Sequence, residues 1–284
     1  MLGRPASTRV GLIDITAIIV LPAAAAGLIA IAATVLIERY GGVVGGLLGT
    51  LPTTIVPAAL GILAARPETE PFQAAMAAVP VGMAVDGVFL MCWRVLPSRI
   101  GGTGRQPLIR TTLASLCIWA ATAGAAIALM DALRGFGVPP LAVGAVAFVA
   151  LEVGGVLACR SHVRSPSGSE PVSPLALASR GLLAALAIGF AGALAWWGGP
   201  LLAGIAAVFP AIFLTTMVSL WWSQGEAVPL GAVGPMILGS GAVGAFALVA
   251  AWSLPAFGPV LGSLLAWVIA ACGVTLPAWW WLNR

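Results

Sequence analysis

The sequence predicts an all-α integral membrane protein of about nine transmembrane helices, arranged as a four-plus-one-plus-four inverted repeat with discontinuous, Gly- and Pro-containing helices. Three observations lead there. First, 61% of the 284 residues are hydrophobic and only 8% are charged, against roughly 45–50% and 25% in soluble domains. Second, the charges sit in short breaks between apolar runs of about 20 residues, the length that crosses a hydrocarbon core. Third, landmarks of the first half recur in order in the second.

The expected spans are 15–37, 42–65, 72–93, 112–130, 138–159, 178–197, 199–222, 228–252 and 259–282. Arg4 and Arg9 ahead of Ala23 to Ala26 have the layout of a secretory signal, but the apolar run continues to Ile37. That is too long for a signal core, so a retained first helix is expected. Tight breaks at Glu38 to Gly41 and Trp197 to Pro200 make helical hairpins of spans one and two and of spans six and seven. Two loops are longer: 94–111, with Arg94, Arg99, Arg105 and Arg110, and the Ser/Pro-rich 160–177, with Arg160, His162 and Arg164. The second separates the halves, giving a first four-helix repeat over 1–136, a linking helix and polar loop over 137–177, and a second repeat over 178–284. No stretch reads as a soluble domain.

The repeat rests on matches that keep their order at two offsets. At 158 residues, Gly46 to Pro52 falls on Gly204 to Pro210, Glu68 on Glu226, Pro71 on Pro229, and Leu96-Pro97 on Leu254-Pro255. At 148, Leu113 to Leu116 with Trp119 falls on Leu261 to Leu264 with Trp267. An odd linking helix between the two sets inverts the second against the first. Secondary transporters are often built this way, with the substrate site near the midplane where the repeats meet.

Nine of the thirteen arginines fall on the side that holds the loops after odd spans and the C-terminus. By the positive-inside rule this predicts a cytoplasmic C-terminus, an outside N-terminus and the cytoplasmic membrane as location. Of eleven Trp, nine lie near span ends (Trp93, Trp196, Trp197, Trp221, Trp222, Trp252 and Trp279 to Trp281) and read as an interfacial belt.

Candidate chemistry concentrates in four interrupted spans and two acids. In span two, Gly41, Gly42, Gly45, Gly46 and Gly49 form a small-residue face for close helix packing. Pro52 and Pro57 remove backbone donors, and the freed carbonyls beside the hydroxyls of Thr50, Thr53 and Thr54 make a polar spot suited to a cation or small polar solute. The matching span seven carries Pro210, Thr215 and Thr216. Spans three and eight are expected to be interrupted at Pro80, Gly82 and Gly87 and at Gly234, Pro235, Gly239 and Gly241. Asp86 in span three and Glu152 in span five each precede a boundary arginine by eight residues, which puts them at similar depth. A carboxyl there is costly unless it is paired, protonated or wet, so Asp86, with Glu152 second, is the expected proton or cation carrier. Ser240 is the polar counterpart of Asp86 in the second half, which makes the site asymmetric.

No Walker loop, dinucleotide fingerprint, paired-His motif or nucleophile elbow occurs, so no cofactor, no metal site and no catalytic residue is expected. Cys92, Cys117, Cys159 and Cys272 lie in apolar runs without Cys-x-x-Cys spacing and read as small apolar residues. The arginines are scattered over many loops, which speaks against nucleic acid. The expected partners are the lipid bilayer, a small solute or ion, and a second copy of the chain. The leading expectation is a secondary transporter or permease, followed by a non-transporting scaffold subunit and then a membrane-embedded enzyme.

Overall fold

The structure is a computed structural model that describes residues 19–40, 51–101, 105–160, 173–197 and 199–282. Every regular element among them is a helix, as a chain this apolar requires where no water can satisfy open backbone groups. In chain order they are α1 (Leu21–Tyr40), α2 (Ile55–Ala65), α3 (Thr69–Val95), α4 (Pro97–Ile100), α5 (Gln106–Gly135), α6 (Pro140–Arg160), α7 (Pro174–Trp197), α8 (Pro200–Ala206), α9 (Ala211–Gln224) and α10 (Ala227–Ala270). A π-helical turn over Ala271–Thr275 leads into α11 (Leu276–Leu282).

Six helical segments are long and apolar enough to cross a membrane: Thr69–Val95, Gln106–Gly135, Pro140–Arg160, Pro174–Trp197, Pro200–Trp222 and Pro229–Leu282. Two shorter apolar helices, Leu21–Ala32 and Ile55–Ala65, accompany them. The chain is therefore multi-pass. The expected second span is represented by α2 alone, since Gly41, Gly42, Gly45, Gly46, Gly49 and Thr50 lie outside the described residues. The expected seventh is cut into α8 and α9 at Ala207 to Pro210.

The expected eighth and ninth spans form one helical run that folds back at Gly258, where φ is +78°. Ser253 Oγ donates to Gly262 O at 2.8 Å, although nine residues of straight helix would separate them by about 13.5 Å. Further along, Ala278 packs with Leu238 and Cys159, so the two arms lie antiparallel.

Proline did not act alike everywhere. The interruption expected at Pro80 is absent: α3 runs unbroken through it, and α10 likewise through Pro235. Pro80 seats against Gly244, where the missing side chain leaves room for the ring. A helix held on all sides tolerates the lost hydrogen bond.

Helix α3 is the buried axis, and Phe72, Met76, Phe89, Leu90 and Trp93 on it are among the largest fully enclosed side chains. Its most extensive packing is against α10, α6, α8 and α5. Glycines permit the close approaches. Gly144 of α6 rests on Ala77, Gly204 of α8 on the Ala75 carbonyl, and Gly155 of α6 on Leu238 of α10, whose Cα would stand 2.8 Å from an added Cβ.

The same contacts fix directions. Helices α3 and α6 run parallel, pairing Ala77 with Gly144, Gly87 with Leu151, and Arg94 Nη1 with Ala158 O at 2.9 Å. Helix α10 is antiparallel to both, since Gly244 meets Phe148 and Pro80 while Ile237 meets Gly87. Helices α1 and α7 are antiparallel, with Ala23 on Gly189 and Ile31 on Gly181. Helices α3 and α5 form an antiparallel hairpin closed by the exposed Glu70–Arg134 ion pair at 3.0 Å.

Arg66 Nε and Nη2 donate to Ala195 O and Trp196 O at 2.7 and 3.0 Å, capping the end of α7. Arg94 serves the end of α6 in the same way, each cation meeting the negative end of a helix.

Candidate functional site

A buried carboxyl on the axial helix anchors the site. Asp86 is 1% exposed, and its Oδ1 accepts a 2.7 Å bond from Trp119 Nε1 of α5. The indole is a neutral donor only, so it stabilises the carboxyl without supplying the opposite charge that would fix it as an anion. Trp119 stacks edge-on against Phe209 at 5.1 Å between centroids. Phe209 belongs to the break between α8 and α9, where Val208 also fills the space beside Gly82 of α3. Asp86, one turn on from Gly82, thus stands next to the point where a crossing segment loses its helix.

The break follows from Pro210, which lacks the N–H needed to continue α8 and becomes the N-cap of α9. Around it, Val208 N bonds Ile205 O and Ala211 N bonds Phe209 O, in place of regular i to i−4 bonds. In the first half, Pro52 is buried, Thr53 N bonds Leu51 O at 2.8 Å, and Thr54 is the N-cap of α2.

Glu152 of α6 is level with Asp86, as the parallel register of α3 and α6 dictates. It turns elsewhere: its carboxyl fills the place a side chain at Gly241 of α10 would take, and among the described residues its Oε1 is buried without a hydrogen-bond partner. The two acids thus serve different interfaces, Asp86 the seam with α5 and Glu152 the seam with α10.

Other expected site residues keep to themselves. Thr215 Oγ1 donates to Ala211 O at 2.8 Å and Ser240 Oγ to Ile237 O at 2.7 Å, each within its own helix. Thr53 and Thr54 are half-buried, and Thr216 is half-buried beside Thr215. Trp93, expected in the interfacial belt, is instead 1% exposed between Phe89 and Trp221, because the end of the axial helix is itself covered.

Sequence reasoning missed Trp119 as a site residue, along with Phe209. A signal existed for the first, since Trp119 and Trp267 are the two tryptophans away from span ends. No family model, curated protein or solved structure matches the chain.

Proposed function

We propose that the chain is a secondary transporter of an ion or small solute in the cytoplasmic membrane, with Asp86 carrying a proton during the cycle and the C-terminus on the cytoplasmic side. The observation that carries this reading is Asp86 itself: a carboxyl enclosed at the axis, held among the described residues by a neutral indole, beside a broken helix. Ionisable groups at such depth are costly and belong by default to ion or proton pathways.

With it we propose an inverted-repeat plan of nine crossings, for which several features speak. Thr69 and Ala227 open α3 and α10 at a separation of 158 residues, the offset of the sequence repeat, and Glu68 and Glu226 are their N-caps. Both hairpins that follow turn near a glycine of positive φ, Gly101 and Gly258. Helices α1 and α7, and α3 and α10, run antiparallel, the directions an inverted pairing would have. The linking helix α6 lies against both α3 and α10. A scaffold reading finds less support, because Gly27, Gly144, Gly155, Gly181, Gly204 and Gly234 are already engaged inside the bundle.

Proteoliposomes on a solid-supported membrane, subjected to pH jumps, test the reading with the proton as sole probe. Wild type should show a charge transient, and D86N should lose it. An unchanged transient in D86N removes Asp86 as carrier, and no transient in wild type removes proton coupling.

A further inference from the structure

On the α5 face toward α3, Thr111, Ser115 and Trp119 follow one another at four-residue spacing and so stack along a single line. The register set by Glu70 with Arg134 and Asp86 with Trp119 puts Ser115 one turn and Thr111 two turns beyond Asp86, toward the end bearing Arg94, Arg99 and Arg105. From Thr111 to Trp119 is about 12 Å of helix.

Hydroxyls in this protein usually return to their own helix: Thr112 Oγ1 donates to Leu108 O at 2.8 Å and Thr122 Oγ1 to Ile118 O at 2.7 Å. Thr111 and Ser115 are 0% exposed, and among the described residues their hydroxyls have no partner. Enclosed hydroxyls that forgo the helix carbonyl are the groups buried water satisfies.

From Phe209, which lies on Trp119 just before α9, the chain runs along this line to Trp222 of α9, whose ring lies 4.1 Å beneath the Arg105 guanidinium. In the other direction from Asp86 the α3–α5 seam is apolar, filled by Ala74, Ala78, Val81, Val85, Ala123 and Met130. The polar line therefore leads from Asp86 to one membrane face only.

We propose that Thr111 and Ser115 hold a file of water that conducts protons between Asp86 and the membrane face bearing Arg99 and Arg105. This rests on the reading of Asp86 as a proton carrier. A proton entering at that face shifts along hydrogen bonds from water to water. Each hydroxyl accepts from one neighbour and donates to the next without ionising, and the last water converts the Asp86 carboxylate to the acid. The reverse sequence empties it. Helices α2, α8 and α10 carry no titratable side chain. Of the charged groups on the other helices packed against α3, Glu152 is turned to α10, while Arg99, Arg110, Asp131, Arg134 and Arg160 are exposed.

Single cysteines S115C and T111C, in the full chain with Cys92, Cys117, Cys159 and Cys272 replaced, are exposed to silver(I) in vesicles of either orientation. Later maleimide labelling of the denatured chain reads the protection. R99C reports the face, and L113C, on the exposed side of α5, is the dry control. Both positions should be protected only from the R99C side and about tenfold faster than L113C, since a thiol must meet water to ionise and react. Silence from both sides, or reaction from the opposite side, overturns the water file. T111C carries the same test should S115C fail to reach the membrane. A wet path with an unchanged D86N transient would leave the file standing and remove the carrier reading. A dry path with a lost transient would do the reverse.

Discussion

Glu152 and Gly241 show how a single side chain sets what its neighbour can be. The carboxyl lies where a Cβ at 241 would stand, so G241A must push it aside or force α6 and α10 apart. Overpacking of this kind costs about 1–3 kcal/mol. The G241A/E152A double variant should recover much of that loss, with a coupling of about 0.5–3 kcal/mol in thermal unfolding of the detergent-solubilised protein. Additive losses would show that the two positions do not touch. The acids themselves were legible in the sequence as carboxyls inside apolar runs. Their orientations were not, because helices apolar on every side have no polar stripe to report which face meets a partner. Similarly, the hydroxyls of Thr215 and Ser240 offered no hint that their own helices would absorb them while those of Thr111 and Ser115 would be left open.

Between elements, the decisive residues are glycines whose α-carbons meet another helix's backbone. A Cβ at Gly204 would collide with the Ala75 carbonyl, which cannot yield without moving the axial helix, whereas nothing lies near Gly154 on the outer face of α6. G204A should therefore lower the unfolding temperature sharply. G154A should raise stability by about 0.5–1 kcal/mol through helix propensity alone. Equal effects would mean that the α8–α3 approach is looser than the backbone indicates. The break at Pro210 was readable in advance, since proline removes a donor. The continuity through Pro80 was not, since it depends on Gly244, a residue 164 positions away that leaves space for the ring.

At the scale of the whole molecule, α3 and α10 run in opposite directions, so the residues that open them, Glu68 and Glu226, stand at opposite ends of the bundle. Single cysteines E68C and E226C in a cysteine-free background should therefore be labelled from opposite sides of intact cells by an impermeant reagent. Labelling of both from one side would contradict the inverted plan. The sequence offset of 158 led to the expectation of opposite directions, but it could not say which helices touch, since contact depends on small residues that are common throughout the chain. The two arginine caps take on another meaning in this frame. Arg66 stands just before the start of α3 and grips α7, while Arg94 stands near its finish and grips α6, so each rim of the bundle is fastened by a guanidinium on bare carbonyls. Hydrogen bonds to a charged group contribute about 1.5–3 kcal/mol each, and about 1.4 kcal/mol shifts an equilibrium tenfold. Because the two clasps sit on different rims, losing either guanidinium would loosen one end of the bundle and leave the other fastened.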